Sequence, residues 1–122
     1  MIFNSNLQNN SLCILAPAKL NLHLEILGIR NDGYHELAMV MQSIDLCDHI
    51  KMIKNDNNNI SLKSTNKDLS NGDDNLIMKA ANLLRDKAGI NNLGVNIELI
   101  KNIPIGAGLA GGSTDAAATM VG

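Results

Sequence analysis

The sequence predicts an α+β fold, a two-layer sandwich in which a mixed β-sheet carries helices on one face. Three observations predict it. Most of the first hundred residues alternate apolar and polar positions with a period of two, as half-buried strands do. One segment, NLIMKAANLLRDKAG at 75–89, changes to helical spacing between two strands. After the last strand, PIGAGLAGGSTDAAATM at 104–120 runs through a cluster of glycines into the start of a second helix. Helices that each offer one apolar stripe must bury it against the apolar face of the sheet.

Composition bounds the function. The chain has 122 residues, 45% of them hydrophobic, and a net charge of −2. That suits one small domain spanning 1–122, or part of a larger one, with a real core. There is no Lys/Arg block and aromatics are 2%, so general nucleic-acid binding is excluded. No apolar run approaches membrane-spanning length. The opening MIFNSNLQNNS lacks the basic start and apolar run of a secretory signal and reads as a frayed polar tail. Cys13 and Cys47 have no C-x-x-C spacing and read as reduced thiols in a cytoplasmic protein. Internal repeats and linkers are absent from the sequence.

The elements follow in order. LCIL at 12–15 begins a strand region, with Pro17 as a break. KLNLHLEI at 19–26 is a strand whose Leu20, Leu22, Leu24 and Ile26 form the apolar face, opposite Lys19, Asn21, His23 and Glu25. NDGY at 31–34 is turn chemistry. LAMVMQSI at 37–44 is a partly buried strand, and 48–54 and 60–64 are shorter strands joined by the Asn-rich NDNNN. In the helix, Leu76, Ile77, Ala80, Leu83 and Leu84 share a face, Asn75 or Asp74 is the N-cap, and Gly89 the C-terminal stop. GVNIELI at 94–100 alternates through Val95, Ile97 and Leu99.

The glycine stretch carries the chemistry. Glycine lets a backbone approach an anion closely, and the first-turn N–H groups of a helix point at it. Ser113 and Thr114 add hydroxyls; in the plainer reading one of them is an ordinary N-cap. A Walker A loop needs a lysine where this chain has Gly112. GAGLAG at 106–111 fits G-x-G-x-x-G, the pattern of a dinucleotide-binding oxidoreductase, but that pattern should follow directly on a strand, and here 101–104 intervene.

PIGAGLAGGST resembles the phosphate loop of the GHMP small-molecule kinases. APAKLNLHL, DGYHEL and DNLI are similar to the branch of that family that phosphorylates the 2-hydroxyl of a cytidine diphosphate-linked methylerythritol, a step of non-mevalonate isoprenoid synthesis. The departures are Ala107 and Ala110, where many members have glycine, and Asp115, where many have asparagine. The resemblance implies a GHMP kinase N-terminal domain, truncated, using ATP and Mg²⁺. It implies that Pro104, Ile105, Gly106, Ala107, Gly108, Leu109, Ala110, Gly111, Gly112, Ser113 and Thr114 bind nucleotide, with Asn75 beside it, and that Lys19 is catalytic. Asn21, on the face of Lys19, would bind substrate, and His23 would continue that face. Tyr34 and His35 would take the cytidine end, and Lys101 would meet phosphate or substrate. For each, the plainer reading is structural: a solvated strand lysine, a turn residue, a helix cap, a surface lysine. Family members are longer, and their catalytic aspartate lies past Gly122. The chain is therefore expected to be an inactive N-terminal part, without the C-terminal domain. His49 reads as structural, and no His, Cys or carboxylate spacing suggests a metal site. The competing expectations are another GHMP kinase, the oxidoreductase, and a nucleotide-binding module complete at 122 residues.

Overall fold

The computed structural model describes residues 3–6, 11–90 and 92–122. Five strands and two helices follow one another as β1 (Phe3–Asn6), β2 (Ser11–Ile29), β3 (His35–Asn55), β4 (Ile60–Ser64), α1 (Leu76–Ala88), β5 (Gly94–Ile100) and α2 (Gly111–Val121). The strands form one sheet in the order β1-β2-β3-β5-β4. Its pairs are antiparallel except β4 with β5, which is parallel and spanned by α1. The sheet is thus mixed, as expected.

Both helices lie on one face. Ile14 and Ala16 of β2, Ile50 and Met52 of β3, Leu62 of β4, and Ile97 and Leu99 of β5 pack with Ile77, Met78 and Ala81 of α1 and Ala118 of α2. Ile14 pairs with Ile50, and Ile50 with Leu99, so one row of branched side chains runs across three strands. Burying each contributes about 1.5–3 kcal/mol. This is the predicted two-layer sandwich.

Local expectations needed correction in several places. Residues 3–6, read as part of a frayed tail, form β1, while 1–2 and 7–10 lie outside the described residues. Pro17 does not break β2. Among the described residues β1 pairs with Ser11–Ile14, and β2 runs on through Pro17, which pairs with Cys47 of β3. A register shift against β3 lies between Pro17 and Lys19. The segments 37–44 and 48–54 are one strand, since Asp45–Cys47 stay extended. In α1 the buried residues are Ile77, Met78, Ala80 and Ala81, while Leu76, Leu83 and Leu84 are exposed. The sheet receives a stripe centred between Ile77 and Ala81, narrower than the helix's apolar surface.

A second register shift, between Asn21 and His23, leaves Leu22 without a partner in β3. The strand's alternation inverts there. Asn21 pairs with Met41 and Leu24 with Met39, so Lys19 and Asn21 share a face with Leu24, whereas His23 pairs with Val40 on the opposite face. His23 therefore does not continue the Lys19–Asn21 face; it lies 3.7 Å from Glu25 at the surface.

Candidate functional site

The glycine loop spans the gap between β5 and α2. Gly106 and Gly108 both have φ of 73°, a left-handed conformation that glycine adopts without strain. Ala110 adopts φ of 59° as the residue before α2, and no side chain caps the helix. Neither Ser113 nor Thr114 is the N-cap; Thr114 Oγ1 instead donates to Gly111 O at 3.0 Å. The first helical bond is Thr114 N–H to Ala110 O, 2.9 Å. The N–H groups of Gly111, Gly112 and Ser113 thus precede the helical ladder and face outward with the positive end of the helix dipole. They line a cleft of ≈ 400 Å³ together with residues 104–110, Leu69, Ser70, Asp74, Asn75, Leu76, Lys101 and Asp115.

Lys19 is joined to this loop through its backbone. Its N–H donates to Leu109 O at 3.1 Å, and its Nζ donates to Asn21 Oδ1 at 3.1 Å. The bulge at Leu22 keeps this pair distinct from the pattern farther out. Asn75 caps α1: Oδ1 accepts from Ile77 N–H at 2.8 Å, while Nδ2 donates to Ser70 O at 2.7 Å. It is buried and forms part of the cleft wall, so cap and wall are the same residue.

Tyr34 and His35 lie at the far end of the β2–β3 hairpin. Lys19 and the turn are separated by roughly 33 Å of strand at ~3.3 Å per residue, with register shifts along it. The turn is held by Arg30 N–H to Tyr34 O (2.7 Å), Tyr34 N–H to Asp32 Oδ1 (3.2 Å) and an Arg30–Asp32 ion pair of 2.7 Å. Tyr34 is 73% exposed, so its ring is no lid on the core.

Lys101 is placed differently from both sequence readings. It is no surface lysine: it lines the cleft with its ammonium paired to two carboxylates. The side chain is 4% exposed and is ion-paired to Asp48, which is fully buried, and to Asp115 at 2.8 Å. Asp48 Oδ1 also accepts from the N–H groups of Asn102 (2.6 Å) and Ile103 (2.8 Å). Asn102 Nδ2 donates to Cys47 O, and Lys101 N–H to Thr65 Oγ1. Desolvation pushes the Asp115 carboxyl up to about 6 against the pull of Lys101, and its Oδ1 is buried without a hydrogen-bond partner. The Lys101 ammonium is held above its ordinary value; burial acts against this, but the two carboxylates outweigh it.

Sequence reasoning missed Asp48 and Asp115 as a pair. Each carried a signal. Asp48 shares strand parity with Ile50 and Met52, so a carboxylate stood on the core face. Asp115 falls on the stripe of Gly111, Ala118 and Thr119 that α2 buries.

GAGLAG does not follow directly on a strand: β5 ends at Ile100 and α2 begins at Gly111. The described neighbours of β5 also include an antiparallel β3, unlike an open parallel dinucleotide-binding sheet. The oxidoreductase reading is not favoured. Among the described residues no three His, Cys, Asp or Glu side chains converge as a metal site, and no helix is long and apolar enough to cross a membrane.

Residues 75–122 match the family described as GHMP kinases N terminal domain. The chain is 73% identical over 107 residues, 88% of its length, to a 4-diphosphocytidyl-2-C-methyl-D-erythritol kinase of Prochlorococcus marinus strain NATL2A, covering 34% of that protein. It is 60% identical over 97% of its length to the protein of that name from strain MIT 9515, covering 38%. The chain thus spans about a third of the length of the curated relatives it matches. A crystal structure of 4-(cytidine 5'-diphospho)-2C-methyl-D-erythritol kinase superposes with a TM-score of 0.69 at 39% identity, over 89% of this chain and 38% of that one. Mevalonate kinase of Methanococcus jannaschii, at 20% identity and a TM-score of 0.66 over 88% of this chain and 38% of that one, shares the fold.

Proposed function

We propose that this chain, which carries the GHMP kinase N-terminal fold, is the N-terminal part of a kinase that transfers the ATP γ-phosphoryl group to the 2-hydroxyl of 4-diphosphocytidyl-2-C-methyl-D-erythritol. The active site would be completed by a catalytic aspartate and a C-terminal domain outside these 122 residues. The protein would be cytoplasmic and act on small molecules alone.

One observation carries the reading: an uncapped helix N-terminus, reached through left-handed Gly106 and Gly108, opens into a cleft and is tied to the Lys19 backbone. The N–H groups of Gly111–Ser113 suit phosphoryl oxygens, since each accepting oxygen replaces water on a donor that the helix leaves free. The hydroxyls of Ser113 and Thr114 stand at the same end. The walls from Pro104 to Ala110, with Asn75 opposite, fit the remainder of a nucleotide. The donor set fits a triphosphate. The divalent cation expected with ATP would reside on the phosphates themselves, neutralising them during transfer.

Phosphoryl transfer asks the protein to position reactants and stabilise charge. Lys19 brings a compact ammonium to the edge of the loop, and Asn21 orients it by accepting its hydrogen bond. That charge would meet the attacking oxygen and the equatorial oxygens of the moving group. Asn21 would also bind the erythritol portion. Tyr34 and His35 would bind the cytosine, and the exposed tyrosine ring is suited to stacking.

The test is ATP-dependent phosphorylation of the cytidine substrate by the intact protein, with Gly108→Val alongside wild type. A β-branched residue at φ of 73° is strained, so the loop is driven from the conformation that Gly108 holds. The expected result is a KM for ATP raised about ten-fold or more with the fold intact. Unchanged ATP kinetics in a folded variant would remove the phosphate-loop reading.

A further inference from the structure

We infer that the buried Asp48–Lys101–Asp115 bridge is a positioning device that holds the first turn of α2 so that its free N–H groups point into the cleft. The inference rests on the nucleotide-loop reading above and assigns it residues outside the loop.

The geometry places one link in β3, one directly after β5 and one in α2. Asp48 belongs to β3, inside the antiparallel sheet. It accepts from the side chain of Lys101 and from two successive N–H groups, Asn102 and Ile103, where the chain leaves β5. The incoming end of the loop is thereby pinned to the sheet. Lys101 then reaches beneath the loop to Asp115, one turn into α2, and pins the outgoing end. Between the two anchors the backbone makes left-handed turns at Gly106, Gly108 and Ala110, which by themselves leave the direction of α2 undefined.

Gly111 shows how closely the parts are fitted. A Cβ added there would stand 2.8 Å from Lys101 Nζ and 2.9 Å from Ile103 Cγ2. The ammonium occupies the space directly under the first residue of the helix. A lysine bridging two carboxylates at low exposure is costly as a stability element, because desolvation opposes the pairing. Asp115 keeps an unpartnered buried oxygen as part of that cost. An apolar trio of similar volume would serve the core equally well, but it would not fix the direction of the helix terminus.

The experiment compares the full chain with two variants. In Lys101→Met/Asp115→Leu the link from Lys101 to α2 becomes apolar without stranding Asp115, while Asp48 loses its ammonium partner and keeps its two backbone donors. Asp115→Asn preserves shape and an oxygen that accepts from Lys101. Amide exchange is followed over Gly111–Asp115 without ligand, and ATP binding is measured by calorimetry. The double variant is expected to remain folded, to exchange at least about ten-fold faster in that segment, and to bind ATP about ten-fold more weakly. Asp115→Asn is expected to restore both towards wild type. Unchanged exchange in the folded double variant overturns the inference, as does faster exchange with unchanged ATP affinity. If the double variant does not fold, Asp115→Ala decides on the same two readouts. Wild type that binds no ATP overturns the loop's proposed ligand, while the exchange result still decides whether the bridge positions the turn.

Discussion

Gly111→Ala should destabilise the protein, although alanine is the better helix former. In an open helical position the exchange gains up to about 1 kcal/mol. Here the new methyl would lie 2.8 Å from Lys101 Nζ, 2.9 Å from Ile103 Cγ2 and 3.1 Å from Ile103 Cβ. Lys101 is the flexible neighbour, but its ammonium is held by Asp48 and Asp115 and its side chain is 4% exposed. Ile103 is 1% exposed and cannot swing into solvent. Moving Ile103 is an overpacking event of about 1–3 kcal/mol. Displacing the ammonium loses a hydrogen bond between charged groups, about 1.5–3 kcal/mol. After the helical gain, the net loss is about 1–2 kcal/mol. Gly112→Ala is the control, since its Cβ would meet only Leu76 Cδ1 at 3.3 Å, the end of an exposed side chain. That variant should equal wild type or exceed it by up to ~1 kcal/mol. Urea unfolding of both variants gives the comparison, with midpoints expected to differ by roughly 1 M at an m-value of ~2 kcal/mol/M. Equal midpoints would refute the close packing of Lys101 under α2, and with it the bridge's hold on the loop.

Three further predictions follow from the same geometry. Lys19→Ala in the intact protein should lower kcat by on the order of a hundred-fold with a much smaller change in KM, because in the proposed role its charge would act where negative charge develops; near-normal kcat in steady-state kinetics would reduce Lys19 to a solvated strand residue. Tyr34→Ala should weaken the cytidine substrate by roughly ten-fold and leave ATP unchanged, since stacking on an exposed ring is worth about 1–3 kcal/mol; equal weakening of both ligands in binding titrations would assign Tyr34 to the hairpin instead. Burial pushes the folded Asp115 carboxyl up to about 6 from an ordinary 3.8, so the folded state binds the extra proton and stability falls as pH rises from about 4 to 6. Asp115→Asn should remove that slope and exceed wild type above pH 6 by on the order of 1–3 kcal/mol; urea midpoints that keep the wild-type pH slope would reject the assignment.

What was legible in the sequence was what depends on neighbours along the chain. The period of β5, the Asn75 cap, the Gly89 stop and the glycine loop running into α2 are local, and the structure places each where the pattern put it. The features on which the proposed phosphate site rests are equally local, because glycine conformation and free first-turn N–H groups need no distant partner. Three things were decided only in three dimensions. The bulge at Leu22 moved His23 off the face of Lys19, because register is negotiated with β3 and a shift of one residue exchanges the faces. Pro17 stayed within β2 because β3 pairs with the strand on both sides of it. Lys101, adjacent to the loop in sequence, was drawn beneath it by Asp48, 53 positions earlier, and by Asp115. A single lysine reads as solvated because isolated charges stay in water. Only the packed sheet and helix supply the two buried carboxylates that make its burial tolerable, and that requirement becomes visible only when β3, β5 and α2 meet.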